Sequence, residues 1–260
     1  MNDGKFVNLD ERSEGAGNGI RNYLRTVLTL QEEVIQAQTH VLGEVADQMA
    51  KVILRDGRIF IFGSGHSHML AEEAFYRAGG LACAVPIFSS ALMLHENPTL
   101  SSRMERTPGL AASLFDKYQP REGEMLFIFS NSGVNNLPVE MALHAKERGI
   151  IVVSVSSLAY SKQAPLSSLG KRLDEVADFV IDNGGEPGDA LMQVEGLAWR
   201  VAPSSTLTGA LIWNCLLTEC AARLQAASID VPVFASYNMP GAAEHNARLL
   251  EKWRPLNPHL

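Results

Sequence analysis

The chain has 260 residues, 46% of them hydrophobic and 20% charged, which excludes disorder over most of its length. Lys+Arg total 22 against Asp+Glu 29, a formal net charge of −7. That is the wrong sign for a nucleic-acid footprint, but it leaves room for a local anion pocket built from backbone N–H groups.

Residues 1–19 are polar and glycine-rich, lack the apolar core of a signal peptide, and are expected to be a flexible lead-in. Over 20–57, Ile20, Leu24, Val27, Leu28, Val34, Ile35, Leu42, Val45, Met49 and Val52 recur at helical spacing. This predicts an N-terminal helical segment, with Gly43 as the point dividing two helices. RIFIF (58–62) is a continuous apolar run, as expected of a strand buried on both faces. GSGHS breaks it, and a helix is predicted from Met69 to Ala78, closed by Gly79-Gly80. The second strand is LACAVPIF (81–88), and residues 89–122 read as irregular with helical patches. MLFIF (125–129) is the third strand, followed by SNSGVNN and a helix over Leu137–Arg148. IIVVSVS (150–156) and DFVID (178–182) are the fourth and fifth strands. A long apolar helix runs from Thr206 to about Ala226, and the tail from Asp230 shows no clear periodicity. Strand–loop–helix repetition of this kind predicts an α/β three-layer sandwich, a parallel sheet covered by helices on both faces. One domain is expected over 58–227, with a tail at 228–260 packing on it or on a partner subunit.

Cys83, Cys215 and Cys220 all sit in apolar runs and read as buried, reduced thiols, not a disulfide framework. No stretch reaches the length and apolarity of a membrane span. A cytoplasmic protein with no membrane or nucleic-acid partner is expected. The His and Cys residues show no metal-ligand spacing, and His66 and His68 alone are too close for a usual zinc pair. No metal and no cofactor are expected.

Three loops carry the chemistry. Ser130-Asn131-Ser132-Gly133 follows a buried strand and opens a helix. Two hydroxyls, a glycine that permits close backbone approach and the N–H groups of a helix start form an anion cradle, to which Asn135 adds a donor. The same residue types also serve ordinary turns and caps. Gly63-Ser64-Gly65-His66-Ser67 stands in the same context. It is neither the dinucleotide fingerprint nor a P-loop, because it lacks the third glycine and any Gly-Lys-Ser/Thr. Pro203-Ser204-Ser205-Thr206 opens the long helix with three hydroxyls.

The succession GSGHS, SNSG and APSSTLTGALIWNCLLTE resembles the sugar isomerase (SIS) domain family over about residues 40–227, closest to its bacterial single-domain members. The resemblance implies a flavodoxin-like five-stranded parallel sheet that binds phosphosugars. It also implies that Ser130, Ser132, Ser204, Ser205 and Thr206 hold the phosphate, with Ser64 and Ser67 lining the same pocket. His66 and Asn131 belong to these loops. One departure is Asn135, where the family usually has Thr.

The activity implied is aldose–ketose sugar-phosphate isomerisation, which needs a base for the proton α to a carbonyl. Two alternatives remain: a lyase cleaving an ether of a phosphorylated amino sugar by the same α-proton chemistry, and a non-catalytic phosphosugar sensor. A sensor with its own DNA-binding segment is disfavoured, since residues 1–57 hold six Lys/Arg against nine Asp/Glu. Many SIS enzymes place a Glu along the helix after the first loop, where this chain has Arg77. Glu73 is the neighbouring catalytic candidate, although it could simply pair with Arg77 at i,i+4. His95 in LMLHEN matches a His after the second strand of arabinose-phosphate isomerases, and His245 is a candidate to reach a pocket across a dimer. The N-terminal helical segment has more apolar positions than one sheet face needs, and SIS domains dimerise through such helices. An isologous homodimer, or a higher homo-oligomer, is therefore expected.

Overall fold

A computed structural model describes residues 18–260. The apolar runs become β1 (Ile59–Gly63), β2 (Ala84–Pro86), β3 (Met125–Phe129), β4 (Ile151–Ser156) and β5 (Phe179–Asp182). They form one five-stranded sheet in the order β2-β1-β3-β4-β5, with every pair parallel. Ile59 stands opposite Met125 and Met125 opposite Ile151, so the three central strands start level. They also end level, which brings the loops opening at Ser64 and Ser130 to one height.

The side chains of each strand divide between two cores, as the two-residue period of a strand requires. Ile59, Ile61, Met125, Phe127, Phe129, Val153 and Val155 pack with α1 (Asn18–Leu54) and α7 (Ser205–Ala226). Trp213 of α7 meets Phe127 edge-on, with ring centroids 5.4 Å apart. Phe60, Phe62, Leu126, Ile128 and Val152 face the other way. There they pack with Phe115 of α4 (Ala111–Phe115) and with Leu137, Met141 and Ala142 of α5 (Asn136–Glu147). These are the three layers that the sequence predicts.

At the sheet end where strands begin, Arg58 and Glu124 form a buried pair, with Nε–Oε1 at 2.7 Å and Nη2–Oε2 at 2.8 Å. The two side chains are only 4% and 3% exposed. Burial alone would raise the Glu124 pKa, but hydrogen bonds from Arg58 and from the Arg121 backbone outweigh it and hold the carboxyl below its ordinary value.

Several expectations are corrected. Of the lead-in, residues 1–17 lie outside the described residues, and Asn18 and Gly19 open α1. Gly43 does not divide the segment, and α1 runs unbroken for 37 residues. Leu42, Val45, Ala46 and Met49 keep one stripe buried across it, and packing outweighs the glycine's modest helix penalty. The helix after the first loop, α2 (His68–Ala74), stops short of Ala78. Phe75 turns extended and Tyr76 takes φ 41°. Their rings leave the helix to pack on Phe88 and Phe234, at 6.0 and 5.1 Å. The second strand is shorter than 81–88, because Leu81 bridges Val233 of the tail in antiparallel fashion and Ala82 donates to the Pro232 carbonyl. The unpatterned tail contains a helix, α8 (Ala242–Trp253). The helical patches expected over 89–122 are α3 (Pro98–Arg106) and α4, whereas α6 (Leu158–Gln163) and a hairpin of β6 (Ala190–Met192) and β7 (Val201–Pro203) carry no signal that the sequence reading used.

Candidate functional site

The chain leaves β1 toward β2 on one side and then places β3 on the other, so strand order reverses between β1 and β3. Open α/β sheets bind ligands in the crevice at that point, beyond the carboxyl ends of the strands. A cavity of about 820 Å³ lies at this end. Ser64, His66 and Ser67 line it from the β1 loop, and Ser130, Asn131, Ser132 and Asn135 from the β3 loop. All seven residues from these two loops are thus brought together.

Local backbone chemistry makes the loops possible. A Cβ on Gly63 would lie 2.2 Å from the Ser67 carbonyl oxygen, so only glycine allows the loop to fold back, with Ser67 N donating to Ser64 O at 3.1 Å. Gly133 holds φ 61°, in the left-handed region. Ser130 N is anchored to Val155 O at 3.1 Å. Asn135 caps α5 in extended conformation with no side-chain hydrogen bond to the helix. The first-turn N–H groups of α5 therefore keep their donor capacity toward the loop, apart from Pro138, which has none. Asn131 Oδ1 accepts from Asn183 Nδ2 at 2.9 Å, while its Nδ2 is buried with no partner among the described residues. The same holds for Ser167 Oγ, also on the cavity wall.

The third hydroxyl loop behaves differently. Ser204, Ser205 and Thr206 are not on the cavity wall. Asp189 is, and its carboxylate sits on the start of α7. It accepts from Ser205 N at 2.8 Å, Ser205 Oγ at 2.6 Å, Ser204 N at 3.2 Å and Ser204 Oγ at 3.3 Å. A carboxylate satisfies a helix N-terminus by the same donors and dipole that would attract a phosphate. Asp189 holds this position at φ 70°, a left-handed conformation unusual for a residue with a Cβ.

The three catalytic candidates are not among the lining residues. Glu73 pairs with Arg77 and receives Asn214 Nδ2 at 3.5 Å, the i,i+4 pairing that competed with catalysis in the sequence. His95 is exposed on the turn after β2. His245 Nε2 lies 2.8 Å from the Val233 carbonyl oxygen, in a separate crevice with Asp230 and Lys252. His68, next to Ser67, is buried against the Phe88 ring at 5.0 Å and lies 3.0 Å from Glu72. Burial pushes its imidazole below the ordinary value, against the opposing pull of Glu72.

The sequence reading missed Glu105 and Arg106 at the end of α3, Tyr160 of α6, the segment 164–168 and Asp189. A signal for α3 was present: Asn97 caps it, its side chain accepting from Leu100 N at 2.9 Å, and Pro98 occupies the first turn.

A family model described as the SIS domain matches residues 22–157. A UPF0309 protein of Brucella anthropi is 41% identical over 236 residues, covering 88% of this chain and 96% of that one. Another, from Shouchella clausii, is 40% identical over 235 residues, covering 90% and 96%. Among solved structures, a phosphoheptose isomerase from Francisella tularensis shares the fold, with TM-score 0.52 and 13% identity over 79% of this chain and 97% of that one. The GSGHS and SNSG loops, the parallel sheet that aligns them and these matches together make the chain a member of the SIS domain family.

Proposed function

We propose that the cavity binds a sugar phosphate and that the protein is an aldose–ketose sugar-phosphate isomerase, acting in the cytoplasm as a homodimer. The observation that carries the binding reading is the wall itself. Hydroxyl and amide groups from two loops converge on one cavity, and two donors there, Asn131 Nδ2 and Ser167 Oγ, have no protein acceptor among the described residues. Buried donors are normally satisfied, and a phosphate ester offers several acceptors at once. The volume suits a small molecule. Membership in the SIS family and the fold shared with a phosphoheptose isomerase support the choice of ligand class. No helix among the described residues is long and apolar enough to cross a membrane. An exposed stripe of Ile20, Leu24 and Leu28 on α1 supports association of two copies.

Isomerisation removes the proton α to the carbonyl, passes through an enediol and returns a proton to the adjacent carbon. The phosphate-binding loops would fix the far end of the sugar and bring its carbonyl end to the acid–base groups of the wall. A thermal-shift panel of phosphosugars of four to seven carbons tests the reading, because a ligand that binds only the folded state raises Tm. At least one phosphosugar should raise Tm while its unphosphorylated counterpart does not. No shift with any member would overturn the assignment. Binding without exchange of the α-proton would reduce the protein to a sensor.

A further inference from the structure

We propose that Glu105 is the base that takes the α-proton of the bound sugar phosphate, and that Ser64 is its positioning residue; this rests on the isomerase reading above. The titratable groups on the cavity wall are His66, Glu105, Arg106, Tyr160 and Asp189. Asp189 is committed to two backbone N–H groups and two hydroxyls at the start of α7. Arg106 is a permanent cation whose guanidinium donates to Ser102 O at 2.8 Å. Tyr160 offers a phenol hydroxyl, which donates and accepts hydrogen bonds but is no carboxylate. That leaves one carboxylate, Glu105, and one exposed imidazole, His66.

The placement of Glu105 singles it out. The end of α3 is tied to both loops of the cradle. Ser64 Oγ of the β1 loop, 7% exposed, donates to Glu105 Oε1 at 2.9 Å. Asn136, the first residue of α5, donates through Nδ2 to the Arg106 carbonyl oxygen at 2.6 Å, and Ser168 Oγ donates to Asn136 Oδ1 at 3.2 Å. The end of α3 is therefore tied to both loops, and Glu105, anchored by Ser64, has an Oε2 that accepts from no protein donor among the described residues. A carboxylate fixed through one oxygen and free at the other is arranged to receive a proton without losing its orientation. Its segment crosses from β2 to β3, whereas Glu73 lies on the helix leaving the first loop.

The proton balance closes without a co-reactant. Glu105 takes the proton from the carbon next to the aldose carbonyl, and the C–H electron pair becomes the carbon–carbon π bond of the enediol. The carbonyl oxygen gains a proton from solvent. The hydroxyl on the second carbon then returns a proton to solvent as its oxygen becomes the ketone. Glu105-H delivers its proton to the first carbon, and the carboxylate is restored.

The experiment follows deuterium incorporation from deuterated water by NMR. The probes are erythrose 4-phosphate, ribose 5-phosphate, glucose 6-phosphate and sedoheptulose 7-phosphate, with the Tm shift measured beside it. The expected result is that Glu105→Gln keeps the ligand-induced Tm rise of the wild type and lowers exchange by about a hundred- to ten-thousand-fold. Glu105→Asp, which keeps the charge but withdraws it, should fall between the two. Ser64→Ala should move the acid limb of the pH–rate profile, which loss of a merely structural contact would not do. Wild-type exchange in Glu105→Gln with binding intact overturns the role of Glu105 and leaves the isomerase reading standing. A wild type that exchanges no probe removes the isomerase reading, and the base with it.

Discussion

At the scale of single residues, Ser132 carries the simplest test of the cradle. It sits on the cavity wall between Asn131 and the left-handed Gly133, on a loop fixed by backbone bonds. Its hydroxyl would donate to a charged acceptor, a bond contributing roughly 1.5–3 kcal/mol. Ser132→Ala should weaken phosphosugar affinity by about tenfold or more and leave Tm without ligand nearly unchanged, measured by calorimetric titration. Affinity equal to the wild type would remove Ser132 from the site. The residues of the β1 and β3 loops were legible because a hydroxyl–glycine loop directly after a buried strand has only one place to go, the carboxyl edge of the sheet. Glu105 and Asp189 were not. Each arrives on a connection whose path is set by tertiary packing, and a lone acidic residue in such a segment has no pattern of its own. The serines at 204 and 205 were legible as anion ligands by chemistry, but not the anion they would meet, a carboxylate of the same chain.

At the scale of elements, the sheet was legible because β1, β3 and β4 are buried on both faces and therefore read as continuous apolar runs. Helix α8 was not. Its buried residues are Ala242, Asn246 and Trp253, and a stripe containing Asn and Ala gives little apolar contrast. Asn246 earns its burial through specific bonds, exchanging hydrogen bonds with the Ala235 N and O at 2.9 and 2.8 Å. The Arg58–Glu124 pair joins the start of β1 to the start of β3. Replacing one partner leaves the other charged and buried, which costs about 3–5 kcal/mol. The folded state holds the Glu124 pKa below its unfolded value, so the stabilisation is fully present above the unfolded pKa. It is lost as pH falls through the lower, folded value. Glu124→Gln should therefore unfold at much lower denaturant concentration at neutral pH, and the gap to the wild type should narrow under strong acid. A gap independent of pH would show that the pair is not a titrating element of stability.

At the scale of the whole molecule, the sheet has two rims, and each is closed by a distant part of the chain. In the segment leading into β2, Ala82 N and Gly79 N donate to carbonyls of Pro232 and Phe234 and Phe234 N donates to Gly80 O, and on β2 itself Asn257 Nδ2 reaches Ala84 O at 3.3 Å. Along β5, Gln38 of α1 receives Asp182 N at 3.1 Å. Light scattering of the intact chain should give a dimer at micromolar concentration, whereas a chain cut before residue 230 should grow into larger particles. A cut chain as well behaved as the intact one would show that the tail does not guard the rim. The consequence reaches beyond stability. The stretch that the SIS family model matches, 22–157, contains neither β5 nor the tail. Excised, it would present β2 and β4 as raw strand edges, templates for pairing with further copies and for precipitation. The recognisable module is thus smaller than the unit whose strand edges are covered: the cradle cannot be transplanted on the matched segment alone, because the cover for its edges is encoded elsewhere.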